Sequence, residues 1–105
     1  MTNLSTVHQQ NAISELHTFN DLVRWASSQF NQADLHFGHG TGNAWDEAVS
    51  LVMQLLHLPF DMLTQTSIHV FDARLTTDEK RLVVEVVARR VNERIPLAYI
   101  TNQAW

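Results

Sequence analysis

The chain has 105 residues, which suits one domain with one hydrophobic core. Hydrophobic residues make up 45% and charged residues 17%, so extensive disorder is not expected, and the lack of cysteine excludes a disulfide framework and a thiolate metal site. The first ten residues are polar, and no run approaches the roughly 18 apolar residues of a membrane helix. We therefore expect neither a secretory signal nor a membrane span, and a cytoplasmic location.

Charge is unevenly distributed along the chain, whose formal net charge is −4. Residues 1–73 contain seven acidic side chains and one basic side chain, a balance of −6. Residues 74–105 contain four acidic and six basic side chains, a balance of +2. An acidic surface repels nucleic acid and attracts cationic partners. A basic protein partner for the first part and solubility alone are both compatible with this asymmetry.

The first predicted helix covers residues 12–32, after a polar stretch, residues 1–11, that we expect to be flexible. Its apolar residues recur at three- and four-residue steps and form one stripe: Leu16, Phe19, Leu22, Val23, Ala26 and Phe30. Trp25 lies off this stripe, so it either packs at the margin of the core or is an exposed anchor for a partner. Marginal packing is favoured, because most tryptophans are largely buried.

The second predicted helix covers residues 44–57 and follows a loop, residues 34–42, that holds all three glycines. Asn43 is a good N-cap, and Asp46 and Glu47 lie in the first turn, where the helix dipole favours negative charge. Apolar residues cover more than half of the circumference, which is typical of a central, largely buried helix. Pro59 is expected to end it.

Residues 60–75 are less periodic, and Ile68, Val70 and Phe71 resemble a brief strand. A lone strand has no obvious partner here, so we predict an irregular or short helical connection. A third long helix follows Thr76, which forms a capping box with Glu79, and runs to residue 93 or 94. Pro96 is expected to stop it, leaving residues 97–105 extended. The predicted fold class is all-α, a small helical bundle with an extended C-terminal tail.

Histidine and acidic residues do not form a convincing metal or catalytic site. Asp34, His36 and His39 are ligand types, but a zinc site needs at least three ligands in a definite geometry and no fourth stands at a recognisable spacing. A solvated loop is the simpler interpretation, and we predict no metal. Asp46 and Glu47 are adjacent, so they point to different sides of the helix and are expected to serve the helix dipole and solvation.

Two further patterns suggest anion binding only weakly. Residues 38–42 read Gly-His-Gly-Thr-Gly, but they lack the preceding strand and the lysine of a phosphate loop, although the following helix N-terminus could still hold an anion. Arg89, Arg90 and Arg94 could contact phosphate, but acids lie among them and aromatic residues are absent from the helix. We expect these arginines to cap the helix end or to pair with acids, some across a domain boundary, and Glu85 to pair with Arg89.

Two stretches carry a resemblance to a known family. One is Gly-His-Gly-Thr at residues 38–41 with Asn43 and Trp-Asp-Glu-Ala at residues 45–48; the other is Arg-Arg-Val-Asn-Glu-Arg-Ile-Pro-Leu-Ala-Tyr-Ile-Thr-Asn at residues 89–102. Both resemble the N-terminal region of the HemK-like protein-glutamine methyltransferases, over residues 12–105. Members that modify release factors share the shorter Arg-x-Pro-x-x-Tyr element, matched by Arg94, Pro96 and Tyr99. The tryptophan-containing stretch favours the branch that modifies a large-subunit ribosomal protein.

The resemblance implies a two-part protein. A helical bundle, here residues 12–95, helps to recognise the protein substrate, and residues 96–105 begin a linker to a Rossmann-like domain that binds S-adenosylmethionine. The cofactor and active-site motifs of the family belong to that later domain, so no catalytic or cofactor-binding residue is expected in this chain. The implied partners are a basic large-subunit ribosomal protein and the catalytic domain itself, with no membrane and no direct nucleic-acid binding.

The candidate substrate-contact residues are Trp25, His36, His39, Asp46 and Glu47. The candidate interdomain linker contains Arg94, Pro96 and Tyr99. Two alternatives stand beside this hypothesis: a free-standing helical adaptor for protein interactions, and a small enzyme that uses the loop with His36 and His39.

Overall fold

The computed structural model describes residues 4–35, 37, 42–64 and 69–101. Helices dominate these ranges, which confirms the all-α fold class. Two short 3₁₀ helices, Phe60–Thr64 and Val70–Asp72, lie between the third and fourth α-helices. The α-helices within the described residues are α1 (Thr6–Glu15), α2 (Phe19–Gln32), α3 (Ala44–Leu55), α4 (Thr77–Asn92) and α5 (Leu97–Thr101).

The chain breaks between α1 and α2, so the single helix predicted over residues 12–32 is wrong. Leu16 is already extended, and Thr18 begins α2 with a capping box in which its hydroxyl accepts from the backbone of Asp21 and the Asp21 carboxylate accepts from the backbone of Thr18. Part of the N-terminus predicted to be flexible, residues 6–11, belongs to α1, which Ser5 caps by accepting from the backbone of His8.

Helix α3 is the central helix, as predicted, and Asn43 caps it by accepting from the backbone of Asp46. It ends two residues earlier than the predicted residue 57. His57 adopts a left-handed conformation with φ of 58°, and the backbone N–H of Leu58 donates to the carbonyl of Met53 over 2.9 Å. This pattern is a Schellman C-cap, so local hydrogen bonding ends the helix before Pro59 acts.

The described residues of the connection between α3 and α4 contain two short helical turns, as predicted, and they are bonded to the start of α2. Thr18 and Arg74 form an isolated antiparallel bridge. The backbone N–H of Phe19 donates to Ala73 over 2.8 Å, and that of Leu75 donates to His17 over 2.9 Å. The gap between α1 and α2 therefore supplies the backbone groups that anchor the connection.

Helix α4 begins with the predicted capping box of Thr76 and Glu79. The expectation that residues 97–105 are extended is wrong for residues 97–101, which form α5, while residues 102–105 lie outside the described residues. Leu97 and Ile100 are buried in the core, so their apolar side chains pull this segment back onto the bundle.

The helices enclose one hydrophobic core. Helix α2 packs most extensively on α3, and α1 and α2 both pack on α4. The fully buried side chains come mainly from α2, α3 and α4: Phe19, Phe30, Leu22, Leu51, Met53, Val23, Val52, Val83, Val84, Val86 and Val87. None of the helices in the described part of the chain is long and apolar enough to cross a membrane.

Candidate functional site

The predicted substrate-contact residues occupy different environments. His36 and His39 lie outside the described residues. Trp25 is half-buried on α2, Asp46 is exposed on α3, and Glu47 is buried. The structure therefore does not bring Trp25, Asp46 and Glu47 together into one site. Trp25 and Asp46 line two separate surfaces.

Glu47 forms a buried ion pair with Arg90 of α4. The Nε of Arg90 donates to Oε2 of Glu47 over 2.8 Å, and Nη2 donates to Oε1 over 3.4 Å. Each side chain is only 5% exposed. The interpretation of Glu47 as a solvation residue is therefore wrong, because the first turn of α3 directs it onto α4. Its burial leaves it no surface with which to contact a substrate.

The other basic residues of the second half mostly bind within the bundle. Nη2 of Arg94 donates to the carbonyl of Ala33 over 2.9 Å, and Nζ of Lys80 donates to the carbonyl of Leu16 over 2.9 Å. Arg89 lies 3.5 Å from Glu93. The expectation that the arginines near the end of α4 cap the helix or pair with acids is confirmed for Arg89 and Arg90.

Trp25 lies at the margin of the core, as its position off the apolar stripe predicted. It lines a cavity of about 310 Å³ between α1 and α2, beside Ala33 and Val91. The cavity is rich in polar side chains: His8, Asn11, Glu15, Gln29 and Gln32. Trp25 contributes one apolar wall to a mainly polar surface, so it is not the centre of an apolar anchor site.

The second surface is an open groove of about 530 Å³, formed by α3 and the connection to α4. We call it the aromatic groove, and its lining residues are Trp45, Asp46, Val49, Ser50, Phe60, Leu63 and Phe71. The ring of Trp45 stacks on Phe71 at 6.5 Å, and Phe71 meets buried Phe19 edge-on at 5.2 Å between ring centroids. The groove therefore has a floor of packed rings that reaches the core.

The sequence predicted Asp46 as a contact residue but not the aromatic groove. Periodicity alone does not show that Trp45, in the first turn of α3, is 40% exposed. A usable signal was present in the two aromatic residues of the connection, Phe60 and Phe71, each followed by an aspartate.

The candidate linker residues begin on the bundle. Arg94 has a left-handed backbone, with φ of 57°, and its guanidinium is held by Ala33. The carbonyl of Pro96 accepts from the backbone N–H of Tyr99 over 3.0 Å in the first turn of α5. The Tyr99 side chain is 66% exposed. Pro96 and Tyr99 thus lie on a helical turn whose outer side faces solvent.

The described residues contain no group of three or more histidine, cysteine, aspartate or glutamate side chains that could hold a metal ion. His36 and His39, on which the metal and small-enzyme hypotheses depended, lie outside those residues, as does the glycine-rich stretch apart from Gly42. Among the described residues, the aromatic groove and the polar cavity are the two surfaces that hold predicted substrate-contact residues.

The chain is similar to curated proteins over most of its length. A ribosomal protein uL3 glutamine methyltransferase of Neisseria gonorrhoeae is 51% identical over 94 residues, which are 90% of this chain and 30% of that protein. The protein of the same name from Bordetella pertussis is 47% identical over 97 residues, 92% of this chain and 31% of that protein. The chain is homologous to part of the uL3 glutamine methyltransferases.

The resemblance drawn from residues 38–48 and 89–102 is thereby confirmed. The chain spans about 30% of the length of the curated relatives that it matches. Neither a family model nor a solved structure matches it.

Proposed function

We propose that this chain is the N-terminal substrate-recognition domain of a methyltransferase that uses S-adenosylmethionine to methylate a glutamine side chain of ribosomal protein uL3. The observation that carries the proposal is the 51% and 47% identity to uL3 glutamine methyltransferases across nearly the whole chain. Those relatives are about three times as long as the matched region, which leaves room for a separate catalytic domain.

The proposal assigns S-adenosylmethionine to a separate domain. The described residues contain no βαβ unit of the kind that places a helix N-terminus against a nucleotide cofactor. In this proposal the catalytic domain supplies the cofactor and the methyl-transfer chemistry. The present domain supplies affinity for the protein substrate and holds it near that centre, which raises the effective concentration of the reacting glutamine.

Charge supports a basic protein as the partner. The first 73 residues carry a balance of −6, of which Glu47 is buried against Arg90, and Lys80 is a second buried cation of the later part. Complementary charge speeds and orients encounter. A ribosomal protein is synthesised in the cytoplasm, so the proposed location is cytoplasmic.

The proposed linker starts at residue 96 and leads towards the catalytic domain. Because Leu97 and Ile100 are buried in the bundle, the linker leaves from a fixed point on its surface. Exposed Tyr99 is well placed to contact the catalytic domain, while Arg94 fixes the end of α4. In this arrangement one surface of the bundle binds the protein substrate, and the catalytic domain is attached at a different surface.

Calorimetric titration tests the proposal. The chain is titrated with purified uL3, with a ribosomal protein of similar positive charge as a control, and separately with S-adenosylmethionine. We expect micromolar or tighter binding of uL3, at least about tenfold weaker binding of the control, and no heat with the cofactor. Equal binding of both proteins favours a general adaptor for basic partners, and micromolar cofactor binding contradicts the proposed division between the domains.

A further inference from the structure

The aromatic groove contains exposed apolar side chains, whereas most large apolar side chains of the bundle are buried. Within the described residues, the large hydrophobic side chains that are exposed are Val7, Trp45, Phe60 and Tyr99. Two of these, Trp45 at 40% and Phe60 at 51% exposure, line the same groove. Single exposed hydrophobic residues are ordinary, whereas clustered aromatic residues are typical of the centre of a protein interface.

The floor of the groove is held in place before any partner arrives. Phe19 is fully buried, Phe71 packs edge-on against it, and Trp45 stacks on Phe71 with an angle of 22° between the ring planes. This chain of rings connects the surface tryptophan to the core. Because Trp45 is already ordered, a partner that covers it loses less conformational entropy than one that must first fix a mobile side chain.

One carboxylate lines the groove, and two more directly follow groove residues in the chain. Asp46 lines the groove itself. Asp61 and Asp72 are both exposed, and each directly follows one of the groove's aromatic residues, Phe60 and Phe71. Arg74, in the same connection, is also exposed, but it lines a different cavity, together with Glu79. The groove therefore combines an apolar floor with a predominantly acidic edge.

From this combination we infer that the aromatic groove binds a basic segment of the protein substrate, in which an apolar side chain is flanked by lysine or arginine. The apolar side chain packs on Trp45 and Phe60. The flanking cations lie near Asp46, Asp61 and Asp72, and a guanidinium or ammonium group over the indole face adds a cation–π attraction. The identity of the partner rests on the proposed function, whereas its chemistry rests on the groove alone.

The acidic edge argues against other occupants. A second copy that packed groove against groove would place the same carboxylates opposite one another, and like charges at an interface are unfavourable. An anionic membrane surface would be repelled for the same reason. A basic segment is the occupant that satisfies both the floor and the edge.

Two groove variants and one matched control test this inference with the chain titrated against uL3. Phe60→Ala and Trp45→Ala remove the exposed rings, and Tyr99→Ala removes a more exposed ring that does not line the groove. We expect each groove variant to raise the Kd by about tenfold or more, as central aromatic residues do, and Tyr99→Ala to change it by less than about twofold. Far-UV circular dichroism checks that all three variants are folded.

A second titration separates this inference from the proposed function. A short peptide with one leucine between lysines and arginines is added to the ¹⁵N-labelled chain. A control peptide, with glutamates in place of the lysines and arginines, is added in a separate titration. We expect the indole resonance of Trp45 to shift with the basic peptide and not with the acidic one. If uL3 does not bind but the basic peptide does, the proposed function fails and the groove's chemistry stands.

Three results overturn the inference. The first is tight binding of uL3 that neither groove variant weakens, which leaves the proposed function intact and places recognition elsewhere. The second is an unmoved Trp45 resonance at millimolar basic peptide. The third is a dimer in sedimentation equilibrium that dissociates on Phe60→Ala, because it would identify a second copy as the occupant.

Discussion

Glu47 and Arg90 neutralise each other between α3 and α4, where each side chain is 5% exposed. Removing one charge leaves the other buried without its partner, a change that typically costs about 3–5 kcal/mol. We therefore expect Glu47→Gln to lower the free energy of unfolding by about 3 kcal/mol in urea denaturation. Glu85→Gln, at an exposed position on α4, is the control and should cost less than about 1 kcal/mol. Equal costs for the two variants would show that the buried pair adds no special stability.

Asp21 gives the fold an acid-sensitive residue. Its carboxylate accepts from the backbone N–H groups of His17 at 3.0 Å and Thr18 at 3.1 Å. These two hydrogen bonds, of which the one from His17 has the larger effect, lower the pKa of Asp21 below its usual 3.8. A lowered pKa contributes stability that is fully present above the unfolded-state pKa and is lost as the pH falls through the folded-state value.

The resulting pH dependence is measurable at this one position. Carboxyl NMR titration should place the Asp21 midpoint below 3.8, because the charged form is the one that the backbone N–H groups stabilise. Asp21→Asn should lower stability at pH 7 and should flatten the decline in stability below about pH 4. A titration midpoint at or above 3.8 would contradict this account of the capping box.

At the scale of the element, helix ends are set by short-range backbone geometry. His57 follows α3 with φ of 58°, a conformation that costs a non-glycine residue about 1 kcal/mol or more. We expect His57→Gly to raise the free energy of unfolding by roughly 1 kcal/mol, visible as a melting temperature several degrees higher. Glu85→Gly, within α4, should instead lower it by about 1 kcal/mol. The prediction fails if both glycine variants destabilise the protein.

The start of α1 is anchored to α4 through Leu4. Leu4 is buried, its backbone N–H donates to Oδ1 of Asn92, and its carbonyl accepts from Nδ2 of the same side chain. Within α1 itself, Ala12 is the buried residue. Asn92→Ala removes both hydrogen bonds, each worth about 1 kcal/mol net.

Hydrogen exchange should detect this loosening locally. We expect amides of Thr6–Glu15 to exchange roughly tenfold faster in Asn92→Ala, with little change in α2 and α3, because local opening needs only the contacts of α1 to be lost. Asn20→Ala, at an exposed position on α2, is the matched control. Uniformly faster exchange throughout the chain would mean that Asn92 stabilises the whole fold.

For the whole molecule, the sequence predicted the parts that depend on local patterns. The apolar stripe of α2, the cap at Asn43 and the capping box of Thr76 and Glu79 are confirmed. The break before α2 was missed because Leu16 continues the apolar spacing. Thr18 and Asp21 carry the same threonine-to-acid spacing that correctly located α4, so this break was readable.

Other features depend on contacts between distant residues. Glu47 and Arg90 are 43 positions apart, and no local pattern distinguishes Glu47 from the exposed Asp46 beside it. The aromatic groove likewise needs α3 and the later connection to meet. The family resemblance was carried by sequence alone, whereas the location of an exposed aromatic surface required the packed bundle.

The charge asymmetry of the whole chain leads to a kinetic prediction. If the acidic first part steers a basic ribosomal protein, added salt should slow association by screening attraction over distances beyond about 10 Å. We expect the association rate constant for uL3 to fall by roughly tenfold between about 0.05 and 0.3 M NaCl, with little change in dissociation. The double variant Asp61→Asn with Asp72→Asn should show a shallower salt dependence, because it removes two exposed charges beside the groove. Stopped-flow fluorescence measures both rates, and an association rate that does not respond to salt would show that the acidic surface serves solubility instead.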